Sequence, residues 1–228
     1  MLESPGKTHY LVRKASGEVP LAADWSSAVW ANAETLEIRC FRPESGEHRP
    51  KTWARLLYDE EGLHGIFRVE DRYVRCVRQN YQDEVWKDSC VEFFTKPKAG
   101  RGYFNFEFNC GGAFLCSYIR NPERTPGGFK DYVKLSGEAG SRIQVHSSLP
   151  SRLDPEIAEP VTWTLQFMIP WSVFEEHVGV LGEISSQRWR GNFFKCAEEV
   201  SHPHWAAWAE VDEFNFHLPR CFGRIRFE

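Results

Sequence analysis

The sequence predicts an all-β protein, an antiparallel β-sandwich of jelly-roll-like type with short helical connections. Three observations support this class: apolar and polar residues alternate with a period of two in most segments, Gly and Pro turns recur between them, and long amphipathic helix patterns are missing. Aromatic residues make up 14% of the chain, and they favour pleated surfaces. We expect residues 1–228 to form a single domain, because a sandwich of this size need not divide.

The individual strands follow from the period-two pattern. Leu36, Ile38 and Cys40 alternate with polar residues in "ETLEIRCF", and "TWARLLYDEEGLHGIFRVED" reads as two strands joined by the turn Asp59–Gly62. A short helix is predicted in "SVFEEHVG", with Ser172 as its N-cap. Further strands are predicted at 89–94, 103–109 and 162–171, in "GNFFKCAEE" and in the closing "CFGRIRFE".

Charge and cysteine content narrow the classes of function. The formal net charge of −4 gives no electrostatic reason to expect nucleic acid or an anionic membrane as a partner. Apolar runs stay well short of the roughly 18–20 residues of a membrane-spanning helix. The first residues, "MLESPGKTHYLVRKASGEVPL", show no signal-peptide pattern, and the seven cysteines form no CxxC pair. We therefore expect reduced thiols and a cytoplasmic location.

One face of the predicted sheet gathers polar side chains. In "YFNFEFN" (103–109) the phenylalanines point one way, while Asn105 and Glu107 point the other. When the apolar faces of this strand and the preceding one are paired, Glu92 lies opposite or diagonal to both of them, about 5–8 Å away. Trp86 enters at the edge of this face. The pattern predicts a polar, ligand-facing surface beside an aromatic side chain.

A second candidate region precedes the last strand. The segment "HPHWAAWAEVDEFNFHLPRCFG" holds Trp205, Trp208, Phe214 and Phe216 together with several histidines. Large aromatics in a loop, outside any periodic pattern, favour a functional surface. His202 and His204 would suggest a metal, but zinc sites usually show three or four ligands at recognisable spacing, so we predict no metal site.

Four motifs in this order resemble a carbohydrate-binding module of family 9, and more closely its stand-alone bacterial relatives. They are "W-x-D-S-x-V-E-F-F", "F-x-F-E-F-N", "G-N-F-F-K-C" and "F-H-L-P-R-C-F-G-R-I-R-F-E", and the similarity extends from "DWSSAVW" to the last strand. The resemblance implies a β-sandwich that holds a terminal or reducing-end sugar between two aromatic side chains. Transferred by motif, these are Trp86 and Phe216.

The resemblance also implies polar contacts with the sugar. Glu92 takes the place of the acceptor on the first strand, and Glu107 falls where a family member carries a basic residue. Asn109 and His217 are further candidates for hydrogen bonds to the ligand. The expected partner is a mono- or oligosaccharide. No cofactor is predicted, although structural calcium is possible by family resemblance; no acidic loop in this sequence points to it.

The chemistry of a sugar fits these residue types. A pyranose has apolar C–H faces that aromatic rings cover, and a rim of hydroxyl groups that fixed carboxylates and amides bind. Glu92 as a carboxylate would accept hydroxyl protons in short, charge-assisted bonds.

Other interpretations stay open at this point. Trp86 could be an ordinary rim residue, Phe216 could fill the core, and Glu92 could pair with Lys87 or Lys195. Two carboxyls on one face also allow a glycoside hydrolase that uses Glu92 and Glu107, or an associated subunit of a carbohydrate-degrading system. The last alternative is a degenerate sandwich that acts as a protein-interaction module. Sugar identity and oligomeric state do not follow from the sequence.

Overall fold

Sixteen strands and two short helices make up residues 8–228, the part of the chain that the computed structural model describes. The strands are β1 His9–Lys14, β2 Leu36–Ile38, β3 Cys40–Phe41, β4 Lys51–Tyr58, β5 Gly62–Asp71, β6 Val74–Cys76, β7 Cys90–Lys96, β8 Tyr103–Asn109, β9 Phe114–Thr125, β10 Gly128–Lys134, β11 Gln144–Ser147, β12 Leu153–Ile157, β13 Val161–Pro170, β14 Arg188–Ala197, β15 His204–Ala207 and β16 Gly223–Phe227. The helices are α1 Gly137–Arg142 and α2 Trp171–Val178, and single 3-10 turns span Ala28–Asn32, Val85–Lys87 and Pro219–Cys221.

The strands form two sheets that share β1. The first sheet has the order β10-β9-β8-β7-β14-β16-β1, and the second has the order β1-β4-β5-β13-β11. β15 and β3 extend the first sheet from β14, β2 pairs with β4, and β12 pairs with β6. The predicted all-β sandwich is confirmed. Its pairing is antiparallel except at β1, which runs parallel to both of its neighbours, β16 and β4.

The strands predicted from the sequence are present, with two corrections. The segment "ETLEIRCF" is not one strand, because β2 and β3 separate at Arg39 and join different sheets. The predicted cap of the short helix is wrong as well. Pro170 occupies the N-cap position of α2, and Ser172 lies inside the helix, where its hydroxyl accepts a hydrogen bond from Arg142 Nη1 at 3.1 Å.

Aromatic side chains fill the space between the two sheets. Phe167 of the second sheet stacks on Phe108 of the first, with ring centroids 5.1 Å apart and planes within 6°. Phe93 also stacks on the Phe167 ring, with the ring centroids 6.1 Å apart. Gly65 makes room for this stack, since an added Cβ would lie 2.1 Å from the Phe167 ring. Each buried aromatic removes 150–250 Å² from water, roughly, so this stack is a large part of the core.

The outer face of the first sheet is covered too, but only in part. Phe94, Tyr103, Phe194 and Phe222 form a second buried cluster there, beneath the chain that leads into β16. Further along β7 and β8 the same face carries Glu92, Glu107 and Asn105 instead. No helix among residues 8–228 combines the length and apolar character needed to cross a membrane.

A buried ion pair joins the two sheets at one end of the sandwich. Lys195 on β14 lies 3.5 Å from Asp71 Oδ2 at the end of β5, and both side chains are inaccessible to water. Lys195 Nζ also donates to the Cys196 carbonyl at 3.1 Å and to His204 Nε2 at 2.7 Å. Because His204 Nδ1 lies 2.9 Å from the His202 carbonyl, His204 donates from Nδ1 and accepts at Nε2.

The protonation states of the cluster agree with this arrangement. Burial, reinforced by the charge of Lys195, lowers the pKa of His204 to about 3. Burial alone would raise the pKa of Asp71, but Lys195 and the hydrogen bond from His48 outweigh it and hold that pKa below its ordinary value. At neutral pH the cluster therefore contains a charged Lys–Asp pair and a neutral His204.

Replacement of Lys195 by Met is expected to destabilise the fold by about 3–5 kcal/mol, because Asp71 would remain buried without its cation. The free energy of unfolding in urea measures this loss. The double variant Asp71→Asn, Lys195→Met should regain part of it, since neither charge remains. Lys130→Met is the control, because its partner Glu123 and Lys130 itself are exposed. A Lys195→Met protein as stable as this control would contradict the assigned role.

Candidate functional site

A cavity of about 310 Å³ opens on the outer face of the first sheet. Its lining residues come from six neighbouring strands, β10, β9, β8, β7, β14 and β15, from the segment before β7 that contains Gln82 and Trp86, and from the loop before the last 3-10 turn. Adjacent strands lie about 4.8 Å apart, so this set of strands extends about 24 Å across the sheet. The volume lies at the low end for small-molecule sites.

Two buried carboxyl groups form the floor of the cavity. Glu92 and Glu107 are directly opposite each other on β7 and β8, and they are 3% and 5% exposed. Glu107 Oε1 accepts a hydrogen bond from Asn105 Nδ2 at 2.7 Å, and Glu92 Oε1 accepts one from Cys196 Sγ at 3.1 Å. Within residues 8–228 neither carboxyl forms an ion pair. Each has a second oxygen without a protein partner in that part of the chain.

Burial changes the acidity of both groups. It raises the pKa of Glu92 well above its ordinary value, and the neighbouring Cys196 and Glu107 add to this effect. It raises the pKa of Glu107 to about 7, against the opposing influence of Asn105 and Arg124. At neutral pH the floor therefore retains protons that exposed glutamates have lost, and it can donate as well as accept hydrogen bonds.

Two half-buried aromatic rings line the same cavity. Trp86 lies in the 3-10 turn before β7, and Phe216 lies in the loop before the last strand. Phe216 stacks on Phe194, with centroids 4.1 Å apart and planes within 14°. Trp86 and Phe216 both pack against the small buried cluster around Cys90 and Cys196. Both residues are partly exposed, and both line the cavity.

His217 lies beside the floor. It is neutral, because burial holds its pKa well below the ordinary value. Its Nδ1 lies 3.0 Å from the Tyr103 hydroxyl, and burial raises the pKa of that hydroxyl, so Tyr103 keeps its proton. Nε2 has no hydrogen-bond partner among the described residues. His217 therefore offers one free ring nitrogen at the wall of the cavity, which donates or accepts according to the tautomer.

A family model described as carbohydrate-binding family 9 matches residues 27–227, which is most of the chain. The chain belongs to carbohydrate-binding family 9. No curated protein is similar enough in sequence to count as a match.

Solved structures agree with this family. A candidate carbohydrate-binding protein from Bacteroides uniformis is 26% identical, with a TM-score of 0.82 over 98% of this chain and 100% of its own. A family 9 module from Caldicellulosiruptor kristjanssonii, solved with glucose, is 12% identical with a TM-score of 0.60 over 96% of this chain and 95% of its own. The same kind of module solved with cellotriose is 14% identical with a TM-score of 0.59, over 97% and 94%. The two modules support the fold.

Most residues predicted from the sequence to form the family 9 site line this one cavity. Trp86, Phe216, Glu92, Glu107 and His217 all do. The alternative partners proposed for Glu92 are excluded in the described structure. Lys87 pairs with Glu84 and Glu199, and Lys195 points to the opposite face of β14 toward Asp71.

Asn109 requires a correction, because it does not reach the cavity. It is fully buried, and its Nδ2 donates to Asp88 Oδ2 at 2.9 Å and to the Arg78 carbonyl at 2.8 Å. Its side-chain oxygen accepts from the backbone amides of Gly111 and Ala113. Every polar atom of this side chain is therefore occupied within the protein. Asn109 supports the turn near Trp86 and does not contact a ligand.

One wall of the cavity, opposite the C-terminal loop, was not predicted from the sequence. The hairpin of β9 and β10 supplies Arg124, Phe129, Tyr132 and Lys134 to the cavity. Its strands carry mixed charges without a clean alternation, so they do not show a period-two signal. The turn sequence "TPGG" between aromatic and basic residues was the only available indication of a hairpin.

The floor also contains the one group of three side chains, among residues 8–228, with the spacing of a metal site. Ligand atoms of Cys90, Glu92 and Cys196 lie within 4.8 Å of one another, and all three residues are buried. Two thiols would suit a soft metal rather than calcium, which prefers oxygen ligands. Burial raises the pKa of both thiols, which disfavours the thiolates that metal ligation requires.

The raised pKa of Glu107 predicts that the protein loses stability as pH rises from about 5 to 8. In this range the unfolded chain ionises Glu107 first, near its ordinary value of 4.5, while the folded protein retains the proton up to about 7. The free energy of unfolding should therefore fall by an amount on the order of 1–3 kcal/mol. Urea unfolding at several pH values measures it. In Glu107→Gln the free energy of unfolding should fall less over this pH range than in the wild-type protein. Glu123→Gln, at an exposed position, should behave like wild type. Equal pH dependence of the two variants would refute the assignment.

Proposed function

We propose that the protein is a non-catalytic binder of a mono- or oligosaccharide, and that it holds one terminal sugar between Trp86 and Phe216 above Glu92 and Glu107. One observation carries the proposal: two half-buried rings from distant parts of the chain line a single cavity, and its floor consists of buried carboxyls that form no ion pair within residues 8–228. Membership in carbohydrate-binding family 9 supports it. The glucose and cellotriose bound to the Caldicellulosiruptor modules make glucose-based sugars the first ligands to test.

The geometry suits a sugar in three respects. The rings of Trp86 and Phe216 offer apolar surface for the two faces of a pyranose. Glu92 and Glu107 offer one free oxygen each to the hydroxyl rim, and they accept or donate according to their protonation. His217 Nε2 adds a hydrogen-bonding nitrogen near the floor. Burial removes hydrogen bonds between these carboxyls and water. They regain hydrogen bonds when sugar hydroxyls reach them, so binding offsets part of the cost of their burial.

The same geometry argues against glycoside hydrolysis. Glycosidases place their two carboxyls on opposite sides of the scissile bond. Glu92 and Glu107 rise from adjacent strands on one face, so both approach a ligand from below. A panel of chromogenic glycosides tests this point directly. Hydrolysis by the wild-type protein that disappears in Glu92→Gln would replace the binding proposal with an enzymatic one.

Trp86→Ala should weaken sugar binding at least tenfold, because one face of the sugar would lose its aromatic cover. Isothermal titration with a panel of monosaccharides and short oligosaccharides, including glucose and cellotriose, measures the change. Trp25→Ala is the matched control: Trp25 is also half-buried, but it packs on the second sheet, away from the cavity. Unchanged affinity in Trp86→Ala for the sugar that wild type binds would end the proposed role of this ring.

A cytoplasmic location is also proposed. All seven cysteines are free, and the thiols of Cys90 and Cys196 lie opposite each other without forming a disulfide. This arrangement supports a reducing compartment.

A further inference from the structure

Beside the proposed sugar slot lies a second aromatic surface that no part of the proposed function uses. It consists of Phe214 and Trp205, whose rings meet edge to face with centroids 4.9 Å apart. Phe214 is 53% exposed, the only aromatic among the strongly exposed large apolar side chains of residues 8–228. Both residues line the same cavity as Trp86 and Phe216. An exposed aromatic at the mouth of a cavity leaves apolar area in water that a ligand can cover.

The position of this surface fits the next unit of a saccharide chain. Phe214 and Phe216 are two residues apart, so their Cα atoms are separated by no more than about 7 Å. Trp205 lies on β15, one strand beyond Cys196 of the cavity floor. The second surface therefore continues the cavity away from the β9–β10 hairpin, directly next to the proposed slot.

Backbone and side-chain contacts hold the second surface in place before any ligand binds. Two hydrogen bonds fix the backbone of Trp205. Its N–H donates to Ser45 Oγ at 3.0 Å, and its carbonyl accepts from the Arg42 amide at 2.8 Å. In the Phe214 loop, the Asn215 amide donates to the Glu213 carbonyl at 2.7 Å, and the His217 amide donates to Asn215 Oδ1 at 2.9 Å. A fixed aromatic surface loses little conformational entropy when a ligand covers it.

Polar groups next to these rings match the hydroxyl rim of a sugar. Glu198 lies on the cavity wall, and its Oε1 accepts from Trp205 Nε1 at 3.3 Å, which orients both side chains. The Asn215 side chain also lines the cavity. Apolar rings beside a carboxylate also form the first slot, where Trp86 and Phe216 lie with Glu92 and Glu107.

We propose that Phe214 and Trp205 form a second subsite, which binds the sugar unit linked to the terminal one, so that the protein selects oligosaccharides over monosaccharides. This inference rests on the proposed function, since it assumes that the first sugar lies between Trp86 and Phe216. It assigns chain-length selectivity to Phe214 and Trp205, and recognition of the terminal unit to the first slot.

The test compares a monosaccharide with its oligomers on the intact protein. Isothermal titration is carried out with glucose and cellotriose, and with xylose and mannose and their β-1,4-linked trisaccharides. The wild-type protein should bind the preferred trisaccharide about two- to twelvefold more tightly than its monosaccharide, the range expected for one added aromatic contact. Phe214→Ala should remove this preference while it changes the monosaccharide affinity less than twofold. Phe214→Tyr, which keeps the ring, should retain the preference.

The outcomes separate the two proposals. Wild-type protein that binds monosaccharide and trisaccharide equally well, or a Phe214→Ala variant that keeps the preference, overturns the second subsite and leaves the first slot intact. Absence of wild-type binding to every sugar in the panel overturns both proposals. Thermal melting of each variant shows that it is folded, and the exposure of Phe214 makes unfolding of Phe214→Ala unexpected.

Discussion

The arrangement of β7, β8 and β14 depends on one constraint: every second side chain on these strands must enter the core between the sheets. Val91, Phe93 and Phe193 do so, and the register then places Glu92, Glu107 and Cys196 on the outer face. A shift of one residue in β7 or β8 would exchange the two sets of that strand and bury its glutamate between the sheets. The position of the acids is thus a consequence of how the core packs.

The outer face of the first sheet keeps two glutamates buried at fixed positions, although their burial is unfavourable. Along the same face, Phe94 and Phe194 are covered by the chain before β16, but Glu92 and Glu107 are not paired with any cation of the described structure. The buried carboxylate of Asp71, in contrast, is stabilised by an ion pair with Lys195. Asp71 thus has a cation within the protein, whereas Glu92 and Glu107 have free oxygens. This difference agrees with a cavity floor whose glutamates form hydrogen bonds with a ligand.

The sequence could predict those parts of the site that follow from local periodicity. Glu92 and Glu107 were found because alternation within each strand fixes the face, and the shared apolar set fixes the pairing. The ion pair of Asp71 and Lys195 could not be found this way, since it depends on how two sheets meet across many residues of sequence. The β9–β10 wall did not follow from periodicity, because β10 is the edge strand of the sheet, where both faces tolerate polar residues.

Asn109 shows why a residue type on the predicted face need not contact the ligand. It ends β8, opposite Cys90, and at that point the chain folds back so that Asp88 lies within 2.9 Å of its amide. Asp88 is fully buried directly after the turn that carries Trp86, and it also accepts from the amides of Val77 and Arg78 and from the Arg78 side chain. These bonds fix the end of that turn at the start of β7. Asp88 therefore holds the Trp86 turn beside Glu92. This explains why "DEVWKDSCVEFF" combines a half-buried aromatic, a buried aspartate and a strand glutamate within a few residues.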